Sequence, residues 1–122
     1  MKAMASAALA ALALGMTAPV QAADAAHGQE LYESRCGGCH SLDSNRVGPA
    51  HRGVFGRKAG TAPGFNYSAA VKNSGVVWEE KTLDAWLTNP QVLIPGQRMN
   101  FRVATAEDRA DIIAYLRQQS GR

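Results

Sequence analysis

The sequence predicts an all-α fold in which three main helices are joined by short turns and long loops. Three segments place apolar residues at helical spacing, and only residues 75–78 resemble a β-strand. Between positions 41 and 78 the chain is rich in glycine and proline and holds few large apolar side chains. Because such a domain is short of core material, we expect a large buried group to supply part of the core.

The N-terminal stretch is expected to lie outside this fold. Lys2 provides a positive start, residues 5–14 are small or aliphatic apart from one serine, and the sequence VQA that ends at Ala22 is typical of a cleavage site. We therefore predict a secretory signal peptide over residues 1–22, cleaved after Ala22, and one mature domain over residues 23–122. The apolar run is short for a membrane span, so a retained N-terminal anchor is the less favoured alternative.

The charge of the predicted mature domain is nearly balanced. Without Lys2 it has 12 basic and 10 acidic side chains, a net charge of +2, and it has no run of lysines and arginines with interleaved aromatic residues. These features do not favour a nucleic-acid-binding protein. A charge this small permits only weak electrostatic steering toward an acidic partner.

The first main helix is predicted over residues 25–35, and it leads directly into the cysteines. Leu31 and Tyr32 lie on its apolar face. A shorter helical turn is predicted over residues 68–73, and residues 75–78 give the one weak strand pattern.

The second main helix is predicted over residues 82–89. Leu83, Trp86 and Leu87 share one face at the spacing i, i+3, i+4. Pro90 is predicted to end this helix, because proline disrupts a helix interior.

The third main helix has the clearest start. Thr105 provides a capping hydroxyl three residues before Asp108, an arrangement close to a capping box. Ile112, Tyr115 and Leu116 then form the stripe that we expect to be buried.

Both cysteines of the chain lie in the pentapeptide CGGCH, which contains Cys36, Cys39 and His40. A thioredoxin-like dithiol is disfavoured because the α/β context is missing. A structural zinc site needs four ligands, and no second Cys/His pair is present. A disulfide would close a loop too small to stabilise the chain much. The remaining interpretation is covalent haem attachment, for which CxxCH is the known sequence motif.

Haem attachment also accounts for the spacing in this motif. Cysteines at i and i+3 lie on one side of a helical turn, so their thioether bonds can fix two neighbouring edges of a flat macrocycle, while the next histidine reaches the iron. We therefore predict one haem c per chain, attached through Cys36 and Cys39, with His40 as an axial ligand. From the residues alone, the sixth ligand is Met99, His27 or His51, or the position is open. Of these, Met99 is the only methionine of the predicted mature domain.

With the CGGCH motif and the loop IPGQRM at 94–99, the sequence resembles the class I c-type cytochromes, and specifically the mitochondrial cytochrome c branch with its bacterial relatives. The resemblance covers about residues 27–119. It also rests on six further stretches: GP at 48–49, GVFGRKAG at 53–60, APGFNY at 62–67, Trp78, LTNP at 87–90 and DIIAYL at 111–116. It implies the cytochrome c fold, in which three main helices, short turns and long loops wrap around one covalently bound haem.

The resemblance assigns roles around the iron. It implies that His40 and Met99 are the two axial ligands and that the carbonyl of Pro49 holds the ring N–H of His40. His51 stands where the family usually has a leucine beside the haem. We interpret it as a partly buried histidine with a local hydrogen bond, and a role as an alternative ligand or redox-linked proton site is the less favoured alternative.

The resemblance also assigns roles around the rest of the haem. Arg57, Tyr67 and Trp78 would surround a buried propionate, for which a guanidinium, a phenol and an indole N–H are suitable donors. Phe101 would shield the haem on the methionine side. At the helix crossing, the resemblance implies four packing residues: Gly28, Tyr32, Ile112 and Tyr115.

These expectations predict a soluble periplasmic electron carrier that cycles between Fe(III) and Fe(II), and not an enzyme. Its partners would be redox proteins, such as membrane cytochrome complexes, a terminal oxidase or a periplasmic dehydrogenase. We expect a monomer without stable membrane insertion. One alternative is a haem enzyme or gas sensor, which would require Met99 to be unbound or readily displaced. Another is a fixed electron-entry subunit of one oxidoreductase complex.

Overall fold

The computed structural model describes residues 1–16 and 22–121. Residues 17–21, which contain most of the predicted end of the signal peptide, and Arg122 lie outside the described residues. Residues 1–16 form no regular secondary structure and are exposed. No helix in the described part of the chain combines the length and the apolar character needed to cross a membrane.

Short helices and long loops make up the domain. The described residues form five α-helices and one π-helical turn: α1 (Ala25–Leu31), the π turn (Tyr32–Cys36), α2 (Ala69–Lys72), α3 (Glu80–Thr88), α4 (Pro90–Leu93) and α5 (Ala106–Gln118). Within residues 22–121 the β-pairing is one antiparallel bridge between Lys58 and Val77, which accounts for the weak strand pattern at 75–78. The prediction of an all-α fold is therefore confirmed.

The first predicted helix consists of two parts. The side chain of Asp24 caps α1 by accepting the backbone N–H groups of Ala26 and His27. After Leu31 the helix widens into the π turn, in which the N–H of Gly37 bonds to the carbonyl of Tyr32 at 2.9 Å. The helical path therefore continues into the CGGCH motif, as predicted, but as a wider turn.

Side-chain caps fix where α3 and α5 begin. Glu79 and Thr82 form a capping box at the start of α3, so this helix begins earlier than the predicted residue 82. The hydroxyl of Thr105 accepts the N–H of Asp108 at 3.3 Å, at the predicted start of α5.

Pro90 ends one helix and begins the next. It follows α3 and is the first residue of α4, a helix that the sequence analysis did not predict. Proline suits this position because its fixed φ matches the first turn, where its missing N–H is not needed. The short helix leads into the IPGQRM loop.

α1 and α5 cross with their backbones in close contact. A Cβ atom placed on Gly28 would lie 1.9 Å from the carbonyl oxygen of Asp111, so glycine allows this approach. One turn further along, the rings of Tyr32 and Tyr115 pack with their centroids 5.4 Å apart. The crossing fixes the position of the segment that leads into the motif.

Most of the buried apolar residues in the described part of the chain form one cluster beside a large cavity. Several of its members also line this cavity. The cluster consists of Leu31, Tyr32, Val54, Ala59, Trp78, Leu83, Leu87, Ile94, Val103, Ile112, Ile113, Tyr115 and Leu116.

Candidate functional site

A cavity of about 540 Å³ lies beside this core. Its lining comes from the CGGCH motif, the loops that follow it, α3, the IPGQRM loop and α5, and it is mostly apolar. A volume of this order is typical of sites that bind a small molecule or cofactor. The structure brings together all nine residues that the sequence analysis proposed for the site: Cys36, Cys39, His40, Pro49, Arg57, Tyr67, Trp78, Met99 and Phe101.

The two cysteines are held on the cavity wall by a tight turn. The backbone N–H groups of Cys39 and His40 both bond to the carbonyl of Cys36, at 3.1 Å and 2.9 Å. The two cysteines do not form a disulfide. Burial raises the pKa of Cys36 to about 11, so this thiol is protonated at pH 7. The turn therefore presents two thiols and one imidazole to the same space.

The ring of His40 has a fixed orientation. Its Nδ1 atom lies 3.0 Å from the carbonyl oxygen of Pro49, which is the contact that the resemblance implies. Gly48 leaves room for the ring, because a Cβ atom there would lie 2.1 Å from the Cε1 atom of His40. Burial lowers the pKa of His40, although the bond to Pro49 opposes this effect. The ring is therefore neutral at pH 7, the form that binds a metal.

His51 lies against His40. The two rings stack with centroids 3.9 Å apart and an angle of 20° between their planes. The Nδ1 atom of His51 shares a hydrogen bond of 2.9 Å with the hydroxyl of Tyr32. The interpretation of His51 as a locally bonded histidine therefore needs a correction, since its partner lies in the helical segment before the motif and is brought close by the fold.

Three polar side chains provide donors in one part of a mostly apolar lining. The guanidinium of Arg57 donates to the carbonyls of Ala50, at 3.0 Å, and Arg52, at 3.3 Å, which leaves its positive charge unneutralised. The hydroxyl of Tyr67 accepts the N–H of Ala62 at 3.0 Å, so its own hydrogen is available to a further acceptor. With the indole of Trp78, this donor set fits a buried carboxylate, as the resemblance implies for a haem propionate.

The IPGQRM loop brings Met99 to the cavity that also contains His40. The loop turns at Gly96, which has a φ of 88°. The side-chain amide of Gln97 donates to Asn100 at 3.0 Å and so braces the segment around the methionine. Phe101 follows on the lining and is 41% exposed, so it lies at the mouth of the cavity.

His27 lies outside the cavity lining, whereas Met99 and His51 are part of it. On α1, the Nδ1 atom of His27 lies 2.8 Å from the Oδ2 atom of Asp111 in α5. His27, one of the candidates for the sixth ligand, therefore belongs to the crossing of α1 and α5 and not to the cavity.

Arg46, whose role was not predicted, braces the CGGCH motif from outside. Its guanidinium donates to the carbonyls of Gly37, Gly38 and His40, the latter two at 3.2 Å. Nothing in the sequence distinguishes Arg46 from a solvated arginine in a polar loop, because its acceptors are backbone groups.

Comparison with known proteins gives consistent matches along the chain. Residues 25–120 match the sequence model of the cytochrome c family. The chain is 47% identical to cytochrome c of Euglena viridis over 97 aligned residues. This alignment covers 77% of this chain and 95% of the relative. It is 44% identical to cytochrome c2 of Rhodomicrobium vannielii over 104 aligned residues, and this alignment covers 82% of each chain. The solved structure of cytochrome cH from Methylobacterium extorquens superimposes with a TM-score of 0.75 at 39% identity, and the match covers 78% of this chain and 98% of that one.

Proposed function

This chain belongs to the cytochrome c family, and we propose that it is a soluble periplasmic electron carrier with one haem c. Cys36 and Cys39 attach the haem in this proposal, and His40 and Met99 are its axial ligands. When bound, the haem supplies an iron that accepts and releases one electron. The observation that carries the proposal is the convergence of the nine predicted site residues on one cavity of about 540 Å³.

The residues of the chain would perform three tasks. The carbonyl of Pro49, 3.0 Å from Nδ1 of His40, orients the imidazole and leaves its other nitrogen free to ligate. Arg57 and Tyr67 supply donors for an anionic group on the cofactor. The mostly apolar lining would shield the larger part of a cofactor from water, so less solvent would have to rearrange when the cofactor exchanges an electron.

The mouth of the cavity is the surface that we propose for electron exchange. Exposed residues from different segments lie there, among them the apolar Val47 and Phe101 and the basic Arg98. A small, partly apolar surface of this kind suits the short-lived contacts of redox proteins. We propose that the partners are redox proteins, such as membrane cytochrome complexes, a terminal oxidase or a periplasmic dehydrogenase, and that the carrier is a monomer.

Periplasmic location is supported by the signal-peptide pattern over residues 1–22. Intact-mass analysis of the secreted protein tests this part of the proposal. We expect a chain that begins at Ala23 and carries the mass of one haem. A secreted or membrane-bound product that retains residues 1–22 would contradict it.

Optical and redox measurements on the purified holoprotein test the proposed function. We expect a low-spin spectrum with the weak iron–sulfur charge-transfer band in the oxidised form, a reversible one-electron titration, and a pigment that stays with the polypeptide in acid–acetone. High-spin bands at neutral pH, or avid binding of carbon monoxide after reduction, would contradict the six-coordinate carrier. A colourless polypeptide after acid–acetone would contradict covalent attachment.

A further inference from the structure

The ring of His40 is held on two sides. Pro49 contacts its edge through the 3.0 Å bond to Nδ1, and the ring of His51 covers one face with centroids 3.9 Å apart and planes inclined by 20°. The hydrogen bond to Pro49 orients the ring but still allows it to tilt about its Cβ–Cγ bond within the range of angles that a hydrogen bond accepts. A parallel ring on the face restricts that motion, because rotation of either ring brings their atoms into collision.

His51 is itself held by the core. Its Nδ1 atom lies 2.9 Å from the hydroxyl of Tyr32, and its backbone N–H donates to the carbonyl of Ser41 at 3.0 Å. Tyr32 is only 4% exposed and packs on Tyr115 at the crossing of α1 and α5. The orientation of His51 is therefore set by helix packing.

A leucine could occupy the space of His51 but could not reproduce these contacts. It has no flat face to lie parallel to an imidazole, and it cannot bond to Tyr32. The stacked contact and the bond to Tyr32 therefore both depend on a histidine at position 51.

We propose that His51 is a positioning residue for the axial imidazole: stacked on His40 and held by Tyr32, it fixes the rotation of the His40 ring about its Cβ–Cγ bond. The inference rests on the proposed function, since it requires His40 to be an iron ligand.

Three substitutions in the haem-loaded protein separate the contributions of the ring face and the hydrogen bond. His51→Leu removes both, His51→Phe keeps the ring face, and Tyr32→Phe removes only the hydrogen bond. The g values of the oxidised protein in electron paramagnetic resonance, and the hyperfine-shifted haem methyl resonances in NMR, report the rotation of the axial imidazole. Optical titration reports the reduction potential.

We expect His51→Leu to shift the g values and the methyl resonances and to change the reduction potential. His51→Phe should return all three toward the wild-type values, and Tyr32→Phe should give smaller shifts in the same direction as His51→Leu. Unfolding by denaturant, measured on each variant, separates loss of packing from ring rotation. If His51→Leu does not fold, the comparison of Tyr32→Phe with the wild type decides the question, and unchanged g values there would overturn the inference.

His27→Leu is the matched control, because His27 lies on α1, bonds to Asp111 and is not part of the cavity lining. It should leave the g values and the potential unchanged. Unchanged values in His51→Leu, or an equal shift in His27→Leu, would overturn the inference and leave the proposed function intact. A wild-type protein without a low-spin haem spectrum would overturn the proposed function and this inference with it.

Discussion

Gly28 in α1 lies directly against the carbonyl group of Asp111 in α5. A Cβ atom at position 28 would lie 1.9 Å from that oxygen and 2.4 Å from its carbon, well inside van der Waals contact. Because both neighbours are backbone atoms, no side-chain rotation can relieve the collision. The distance between the two helices is therefore set at this glycine.

Gly28→Ala should destabilise the protein by about 3 kcal/mol, because the helices must separate to admit the methyl group. Denaturant unfolding of the holoprotein measures this change. Glu30→Ala is the control, since Glu30 lies on the exposed side of the same helix, and it should change the free energy of unfolding by less than about 0.5 kcal/mol. Equal midpoints for the wild type and Gly28→Ala would refute the close contact.

The pair formed by His27 and Asp111 should make stability depend on pH. The hydrogen bond that His27 donates to Asp111 raises the pKa of His27 above its ordinary value of 6.5. Since the folded-state pKa is the higher one, the stabilisation is fully present below pH 6.5 and is lost as the pH rises through the folded-state pKa. Burial opposes ionisation of Asp111, but its bonds from His27 and from the backbone of Asp24 outweigh this effect and lower its pKa, so the pair persists in mild acid.

Unfolding curves of the wild type and His27→Gln, recorded on both sides of pH 6.5, measure this dependence. The wild type should lose its advantage over the variant as the pH rises. A constant difference between the two proteins across this range would show that the pair does not contribute in the folded state.

Arg46→Gln should lower the free energy of unfolding by about 1 kcal/mol. This change is smaller than the loss of a buried hydrogen bond to a charged group would cause, because Arg46 is exposed. The substitution removes the donors that bind the carbonyls of Gly37, Gly38 and His40. Arg102→Gln, at another exposed arginine, is the control for the loss of one positive charge. Denaturant unfolding of both variants makes the comparison, and equal losses would assign the effect to charge alone.

Met99→Ala should remove the iron–sulfur charge-transfer band, lower the reduction potential and increase peroxidase activity, because it opens an axial position. Val92→Ala is the control, since Val92 is 76% exposed and is not part of the cavity lining. Spectra and redox titration of both proteins provide the measurement. An unchanged spectrum for Met99→Ala would mean that another group provides the sixth ligand.

Replacing both Cys36 and Cys39 by alanine should abolish covalent haem and leave an unfolded or degraded chain. The physical reason is the cavity of about 540 Å³, which the side chains of the domain do not fill. Acid–acetone extraction and far-ultraviolet circular dichroism of the secreted product measure the two effects. Ser44→Ala, in the exposed loop after the motif, should retain the pigment and the fold. A stable, folded, haem-free double variant would be inconsistent with a cofactor-filled core.

The sequence predicted those helices whose apolar residues repeat along the chain. α3 and α5 have such stripes, but only the cap of α5 at Thr105 was recognised, and the missed capping box of Glu79 and Thr82 explains why α3 begins earlier than predicted. α4 was not predicted, because Pro90 disrupts the helix before it and also suits the start of a new one. The π turn at Tyr32–Cys36 has no sequence pattern that separates it from a continued α-helix.

In the site too, residues that belong to a recognisable sequence pattern were predicted, and contacts made only by the folded chain were not. The nine predicted residues were found because CGGCH and IPGQRM are short motifs with a known chemistry, and the resemblance supplied the others. The stacking of His51 on His40 was not predicted, since it depends on how the loop after the motif folds back. The role of Arg46 was not predicted either. Its hydrogen bonds go to backbone carbonyls, and every residue has such a carbonyl, so the sequence does not show which residues accept them.

The packing of α1 on α5 joins the first and the last helix of the domain along the sequence. Most of the residues that line the cavity lie in the segment between these two helices, and contacts between residues more than eighty positions apart, such as His27 and Asp111, close that segment. A single cut in the exposed stretch around Pro63 and Gly64 would therefore give two fragments that each retain one of the crossing helices. We expect the two fragments to stay associated without a peptide link between them, because the contacts between α1 and α5 are non-covalent and lie outside that stretch.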